Sequence, residues 1–99
     1  MTLRIHEEAL RELDKHVIWY GKRSLFAPQW LQDEVVAASK RILSAPQTFP
    51  LVLPGRRKAR IRRFPFNIIF EWTSDSIDII AIAHSKRKTA YWRHRRMQG

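Results

Sequence analysis

The apolar residues of this chain keep two different rhythms, and the break between them falls at Pro46. Before it, Leu10, Leu13, Val17 and Tyr20, and then Leu31, Val35, Ala38 and Ile42, recur in steps of three and four. That spacing is one face of a helix, twice over. After it the runs are short, rich in β-branched and aromatic residues, and separated by turn signals, which is the pattern of strands. Such a chain can bury both patterns only by laying a helical half against a sheet, so the expected class is α+β.

The punctuation supplies the boundaries. Residues 2–5 read as a short strand. The first helix runs from Glu7 to about Gly21, with Glu7 and Glu8 in its first turn and Lys22 and Arg23 just past its end, both favourable for the helix dipole. Ser24 to Ala27 form the turn, and Pro28 opens the second helix, where its missing N–H costs nothing. Pro46 cannot continue that helix. The two helices therefore read as an antiparallel hairpin. Phe49 to Gly55 is read as irregular. Three strands follow at Lys58 to Arg63, Asn67 to Trp72 and Ile77 to His84, with Phe64-Pro65-Phe66 and Thr73-Ser74-Asp75-Ser76 as the corners. The expected order is β-α-α-β-β-β: an N-terminal strand that joins the sheet, a helical hairpin, and a three-stranded antiparallel meander. The helices are expected on one face of the sheet, leaving the other open. Residues 1–99 read as one domain, with a basic, aromatic tail from about Lys88.

Charge narrows the function. Lys and Arg number 19 against 9 Asp and Glu, for a formal net charge of +10. The acidic residues lie mostly before residue 35, and the basic ones crowd into Arg56 to Arg63 and Lys86 to Arg96. Segregated positive charge points to a polyanionic partner, meaning RNA, DNA or an acidic protein. The chain has no cysteine, so no disulfide framework or thiolate metal site is expected. No apolar run approaches the ~20 residues of a membrane span, and the opening residues carry no signal-peptide pattern. A cytoplasmic, membrane-free protein is expected. Phosphate loops, dinucleotide fingerprints, nucleophile elbows and metal-ligand spacings are absent from the sequence, and neither metal nor cofactor is expected.

Several residues are candidates for chemistry. In the first meander strand Lys58, Arg60 and Arg62 share one face, with Ala59 and Ile61 on the other. The row reads either as a phosphate grip or as an edge strand guarded by charge. On the last strand Ile77, Ile79, Ala81 and Ala83 are expected on one face and Asp78, Ile80, Ile82 and His84 on the other. His84, at the strand end beside Ser85, Lys86 and Arg87, reads as a general acid or base or as a hydrogen-bonding residue. Tyr91 and Trp92, framed by Arg87, Arg93, Arg95 and Arg96, either stack on unpaired bases or fold back on the core. Burial is the preferred reading for Trp92. Asp33 and Glu34 are read as solvated helix-surface residues.

Taken in order, these fragments resemble the RelE/ParE family of toxins. The resemblance rests on Trp19-Tyr20, Glu34-Val35, Ile42 with Pro46 and Phe49-Pro50, Arg62 through Glu71, Ile80 through Arg87, and Tyr91-Trp92-Arg93. It covers nearly the whole chain. It implies the β-α-α-β-β-β fold and an antitoxin partner that wraps the working surface. It also implies one of two activities. RelE-like members cleave messenger RNA on the ribosome with basic residues and no metal, and ParE-like members inhibit DNA gyrase by contact. Fold does not choose between them. Under the RNase pattern the implied catalytic residues are Arg60, Arg62, His84, Arg87 and Tyr91, with Lys58, Arg63, Lys86 and Arg93 binding nucleic acid. The departure is Asn67, where RNase members commonly carry an arginine for the transition-state phosphate. Messenger RNA cleavage is the favoured expectation, gyrase inhibition the alternative, and a toxin fold without activity a third. By charge complementarity the antitoxin is expected to lay an acidic segment over Lys58 to Arg62 and the tail.

Overall fold

The computed structural model describes residues 1–87 and 90–97. Lys88, where the sequence places the start of the basic tail, lies outside them. The elements are β1 (Thr2–Ile5), α1 (Glu7–Gly21), α2 (Ala27–Ser44), a 3-10 turn at Pro46–Thr48, then β2 (Leu51–Leu53), β3 (Arg56–Arg60), β4 (Phe66–Trp72) and β5 (Ser76–His84). They form one five-stranded sheet in the order β1-β5-β4-β3-β2. β1 runs parallel to β5, and the remaining pairs are antiparallel. This is the α+β arrangement expected, with one more strand. No helix among the described residues is long and apolar enough to cross a membrane.

The helices begin and end where local chemistry allows. The His6 side chain accepts the Glu8 N–H at 3.0 Å and caps α1. Ser24 Oγ accepts the Phe26 and Ala27 N–H groups at 3.2 and 3.1 Å, organising the start of α2 ahead of Pro28. From α2, Leu31, Val35, Ala38 and Ile42 are buried against the sheet, joined by Ile61, Ile68, Phe70, Ile77 and Ile79. On α1 the sheet-facing position near the N-terminus is Ala9, fully buried, and Leu10 is half exposed. The small residue lets α1 approach β5 closely.

Three expectations for the sheet change. Leu51–Leu53, read as irregular, is a strand: Pro54 and Gly55 turn it onto β3, and Gly55 supplies the positive φ of 77° that Gly tolerates. The meander therefore has four antiparallel strands. β3 stops at Arg60, not Arg63, because the Ile61 N–H closes the corner onto the Phe66 carbonyl at 3.0 Å and Arg63 adopts a φ of 71°. Arg62 and Arg63 consequently belong to a turn. In β5 the alternation breaks: Ile69 pairs with Ala81 while Phe70 pairs with Ile79, so Ile80 is an extra residue. This β-bulge leaves Ile77, Ile79 and Ile82 in the helix-side core and gathers Ile80, Ala81 and Ala83 on the opposite side with Ile69 and Trp92. The two expected faces of this strand are therefore exchanged past the bulge.

The face away from the helices is not fully open. Trp92 is buried on it. Arg56, itself buried, donates to Glu71 at 2.9 Å, to the Trp92 carbonyl at 2.7 Å and to the Arg95 carbonyl. A guanidinium fork thus fastens the tail to the sheet.

Candidate functional site

β5 is nine residues long and β1 covers only its first four positions, Ser76 to Ile79. The rest of that edge would expose backbone groups. Side chains meet them instead. Glu12 accepts the Ile82 N–H at 3.0 Å, the His16 Nε2 lies 3.1 Å from the Ile82 carbonyl, and Arg95 donates to the Ile80 carbonyl at 3.1 Å. Glu12 also accepts from Arg95 at 2.9 Å and from the Tyr91 hydroxyl. Burial pushes the Glu12 carboxyl up, but the bonds from Arg95, Tyr91 and Ile82 outweigh it and hold the group below the usual carboxylate range. Burial and the bond to Glu12 push the Tyr91 phenol well above its ordinary value. The same phenol ring carries the Arg87 guanidinium 3.8 Å from its centroid.

This scaffold brings one set of expected residues together. Lys58, Asn67, His84, Ser85, Arg87, Tyr91 and Trp92 line a shallow cleft of about 110 Å³ on the tail-bearing side of the sheet. Lys58 enters it from β3, Asn67 from β4, and His84 from the end of β5. His84 stands edge-on to Phe66 at 5.4 Å, and its Nδ1 accepts the Lys86 N–H at 3.1 Å. With Nδ1 accepting, the neutral ring carries its proton on Nε2, which then donates.

The other expected residues stand apart. Arg60 is exposed on β3 opposite Asn67 but does not line the cleft. Arg62 is exposed in the following turn. Arg63 leans toward the helices and lies 3.7 Å from Glu34. Glu34, read from sequence as solvated, is mostly covered and has this partner. Lys86 and Arg93 are exposed beside the cleft and in the tail. Glu12 and His16 organise the site yet carry no sequence signal, and Arg56 and Arg95 show in the sequence only as members of the basic blocks, since each acts through partners on another element.

No protein-family model matches the chain, and no curated protein does. Among solved structures the chain is similar to one described as a chromosomal ParDE TA system from P. aeruginosa, with 23% identity and a TM-score of 0.63, covering 87% of this chain and 97% of that one. At that identity the likeness is one of fold. The chain has the ParE/RelE-like α+β fold that its sequence fragments implied.

Proposed function

We propose that this protein is the growth-arresting toxin of a type II toxin–antitoxin pair, acting in the cytoplasm, and that it works by a ParE-like protein contact with DNA gyrase without catalysis. The observation that carries the reading is the tip of the helical hairpin. Ile18, Leu25, Phe26 and Trp30 are 59%, 86%, 60% and 47% exposed there, and Phe26 stacks on Trp30 at 5.9 Å. Large apolar side chains gathered on a surface mark a protein contact. The ParDE name of the structural neighbour supports the same direction. So does the chemistry of the cleft, where the Tyr91 phenol is committed to Glu12 and Asn67 brings no charge. An antitoxin with an acidic segment over Lys58, Arg87 and the tail would neutralise the basic side.

The test is brief induction of the toxin alone in bacteria, with separate pulse labels for DNA and protein synthesis. DNA synthesis is expected to fail first, with a DNA-break response and intact messages. Leu25→Glu and Phe26→Glu are expected to abolish the arrest while the protein stays folded. Arrest by folded Leu25→Glu and Phe26→Glu proteins sinks the reading.

A second reading, ribosome-dependent messenger RNA cleavage, is favoured by the convergence of Lys58, His84 and Arg87 on one cleft. Under it those residues, with Arg60 and Arg62 at the rim, would grip phosphate, His84 Nε2 would donate a proton, and Tyr91 would serve through its ring. Arg63 is turned toward Glu34, so Arg87 would have to supply the charge that Asn67 lacks. Early loss of protein synthesis with cut messages, abolished by Arg87→Ala, would establish this reading instead.

A further inference from the structure

Among the described residues Leu25 is the most exposed large apolar side chain, and it stands at the turn of the helical hairpin. Around it the chain from Lys15 to Gln32 holds no Asp or Glu. It does hold Lys15, Lys22 and Arg23, all exposed. The acids that bracket this stretch are Asp14 and Asp33, and Asp33 already accepts from Gln29 at 2.9 Å. Among the described residues none of the three cations has an ion-pair partner. Each keeps its charge toward whatever covers the tip.

These cations are placed, not scattered. Lys15, Ile18, Trp19, Lys22 and Arg23 line an open depression of about 290 Å³ on the outer face of α1. Positions 15, 18, 19 and 22 keep the three- and four-residue steps of one helix face, carried to its cap, and Arg23 follows. Arg23 is held in place: its guanidinium lies 3.7 Å from the Trp19 ring centroid and donates to the Trp19 carbonyl at 2.9 Å. A guanidinium carries further N–H donors in a planar fork, and these remain for a carboxylate. Across the turn Phe26 stacks on Trp30.

An apolar centre with a charged rim, rich in Trp, Phe and Arg, has the anatomy of a protein–protein contact. The sign of the rim selects the partner. A second copy would bring the same acid-free tip, on a chain of formal charge +10, against this one. Ile18 and Leu25 are branched aliphatics, which fill an apolar socket and offer no ring to stack on a base. We propose that the tip docks on an acidic protein surface: Leu25 and Phe26 enter an apolar socket, and Lys15, Lys22 and Arg23 pair with carboxylates that ring it. The cations steer the encounter and select the partner, and the apolar pair sets how long the contact lasts. This rests on the contact reading above and adds the chemistry of the patch that receives the tip, a patch on gyrase under that reading.

The experiment has two arms, both with the full chain. In the first, growth arrest in bacteria is scored for Lys22→Glu and Arg23→Glu. Lys40→Glu, at an exposed cation further along α2, is the control of equal net charge. The tip reversals are expected to relieve the arrest and the control to keep it. In the second, association and dissociation with purified gyrase are timed at several salt concentrations. Each tip reversal is expected to slow association about three- to tenfold at low salt and to flatten its salt dependence, with dissociation little changed. Leu25→Ala is expected to do the opposite, quickening dissociation about tenfold with association little changed. Arrest by folded Lys22→Glu and Arg23→Glu proteins overturns the proposal, whatever the target. So does a wild-type association rate that ignores salt, and so does an equal effect from Lys40→Glu. If the wild-type chain does not bind gyrase, yet arrest is lost only in the tip reversals, the gyrase reading fails and the acidic docking surface stands. Uptake of the wild-type chain by phosphatidylglycerol vesicles, lost in the tip reversals while gyrase association ignores them, gives the tip to lipid and overturns the proposal.

Discussion

The two sides of the sheet are closed by different physics. On the helix side, Leu31, Val35, Ala38 and Ile42 of α2 meet Ile61, Ile68, Phe70 and Ile77 in a continuous apolar layer. Its contacts are many and individually interchangeable, and burial alone drives them. On the other side a smaller apolar cluster of Trp92 with Ile69, Ile80, Ala81 and Ala83 is joined by two polar anchors that hold the tail: Arg56 on the sheet and Glu12 on α1. The polar anchors are few and directional, and each is hard to replace. The helix side therefore fixes the fold, and the tail side positions the functional groups, since Tyr91 and Arg87 depend on it.

The sharpest way to break this contrast is Phe70→Ala, which empties the centre of the helix-side core. It is expected to cost about 3–5 kcal/mol in urea unfolding and to loosen both sides together. Arg56→Met should cost less, about 2–3 kcal/mol, because three acceptors lose their donor while Glu71 can still reach water. Its mark is selective: limited proteolysis should release the tail from an otherwise folded domain. If the tail stays protected, the latch is not what holds it. Glu12→Gln is expected to remove about 1–2 kcal/mol by weakening the bonds from Arg95 and Tyr91.

Acid should repeat that substitution reversibly. The Glu12 carboxyl is held below its ordinary value in the folded chain. Its contribution is complete above the unfolded-state value of about 4.3 and is lost as pH falls through the folded-state value. The tail-side tryptophan signal is expected to change in that window in the wild type and to be flatter in Glu12→Gln. The smallest expected effect is Lys58→Ala, within about 0.5 kcal/mol of wild type, so any loss of activity there reports on binding and not on folding.

The same contrast explains what the sequence disclosed. The helix side was legible because repeated burial leaves a period: the α2 stripe matches the residues found in the core. Leu10 misled because it keeps the period although the neighbouring Ala9 takes the contact. The strand at Leu51–Leu53 was hidden by its length and by the prolines at 50 and 54 that flank it. Of the candidate cleft, Lys58, His84, Arg87 and Tyr91 were named and are assembled together. Arg62 and Arg63 were assigned to a strand that ends before them. The partnership of Glu12 with Tyr91 and Arg95 left no trace, because a hydrogen bond spanning 79 positions has no local signature.

The extra residue in β5 has a consequence for heredity as much as for geometry. Side chains along a strand obey a parity, and Ile80 changes that parity once, four residues before His84. Removing that single residue would restore plain alternation, with Ala81 following Ile79 directly opposite Ile69 and Phe70, and would leave the imidazole opposite Phe66 on the wall it already occupies. A one-codon deletion in this apolar stretch is thus absorbed by the bulge, and His84 keeps its place beside Phe66.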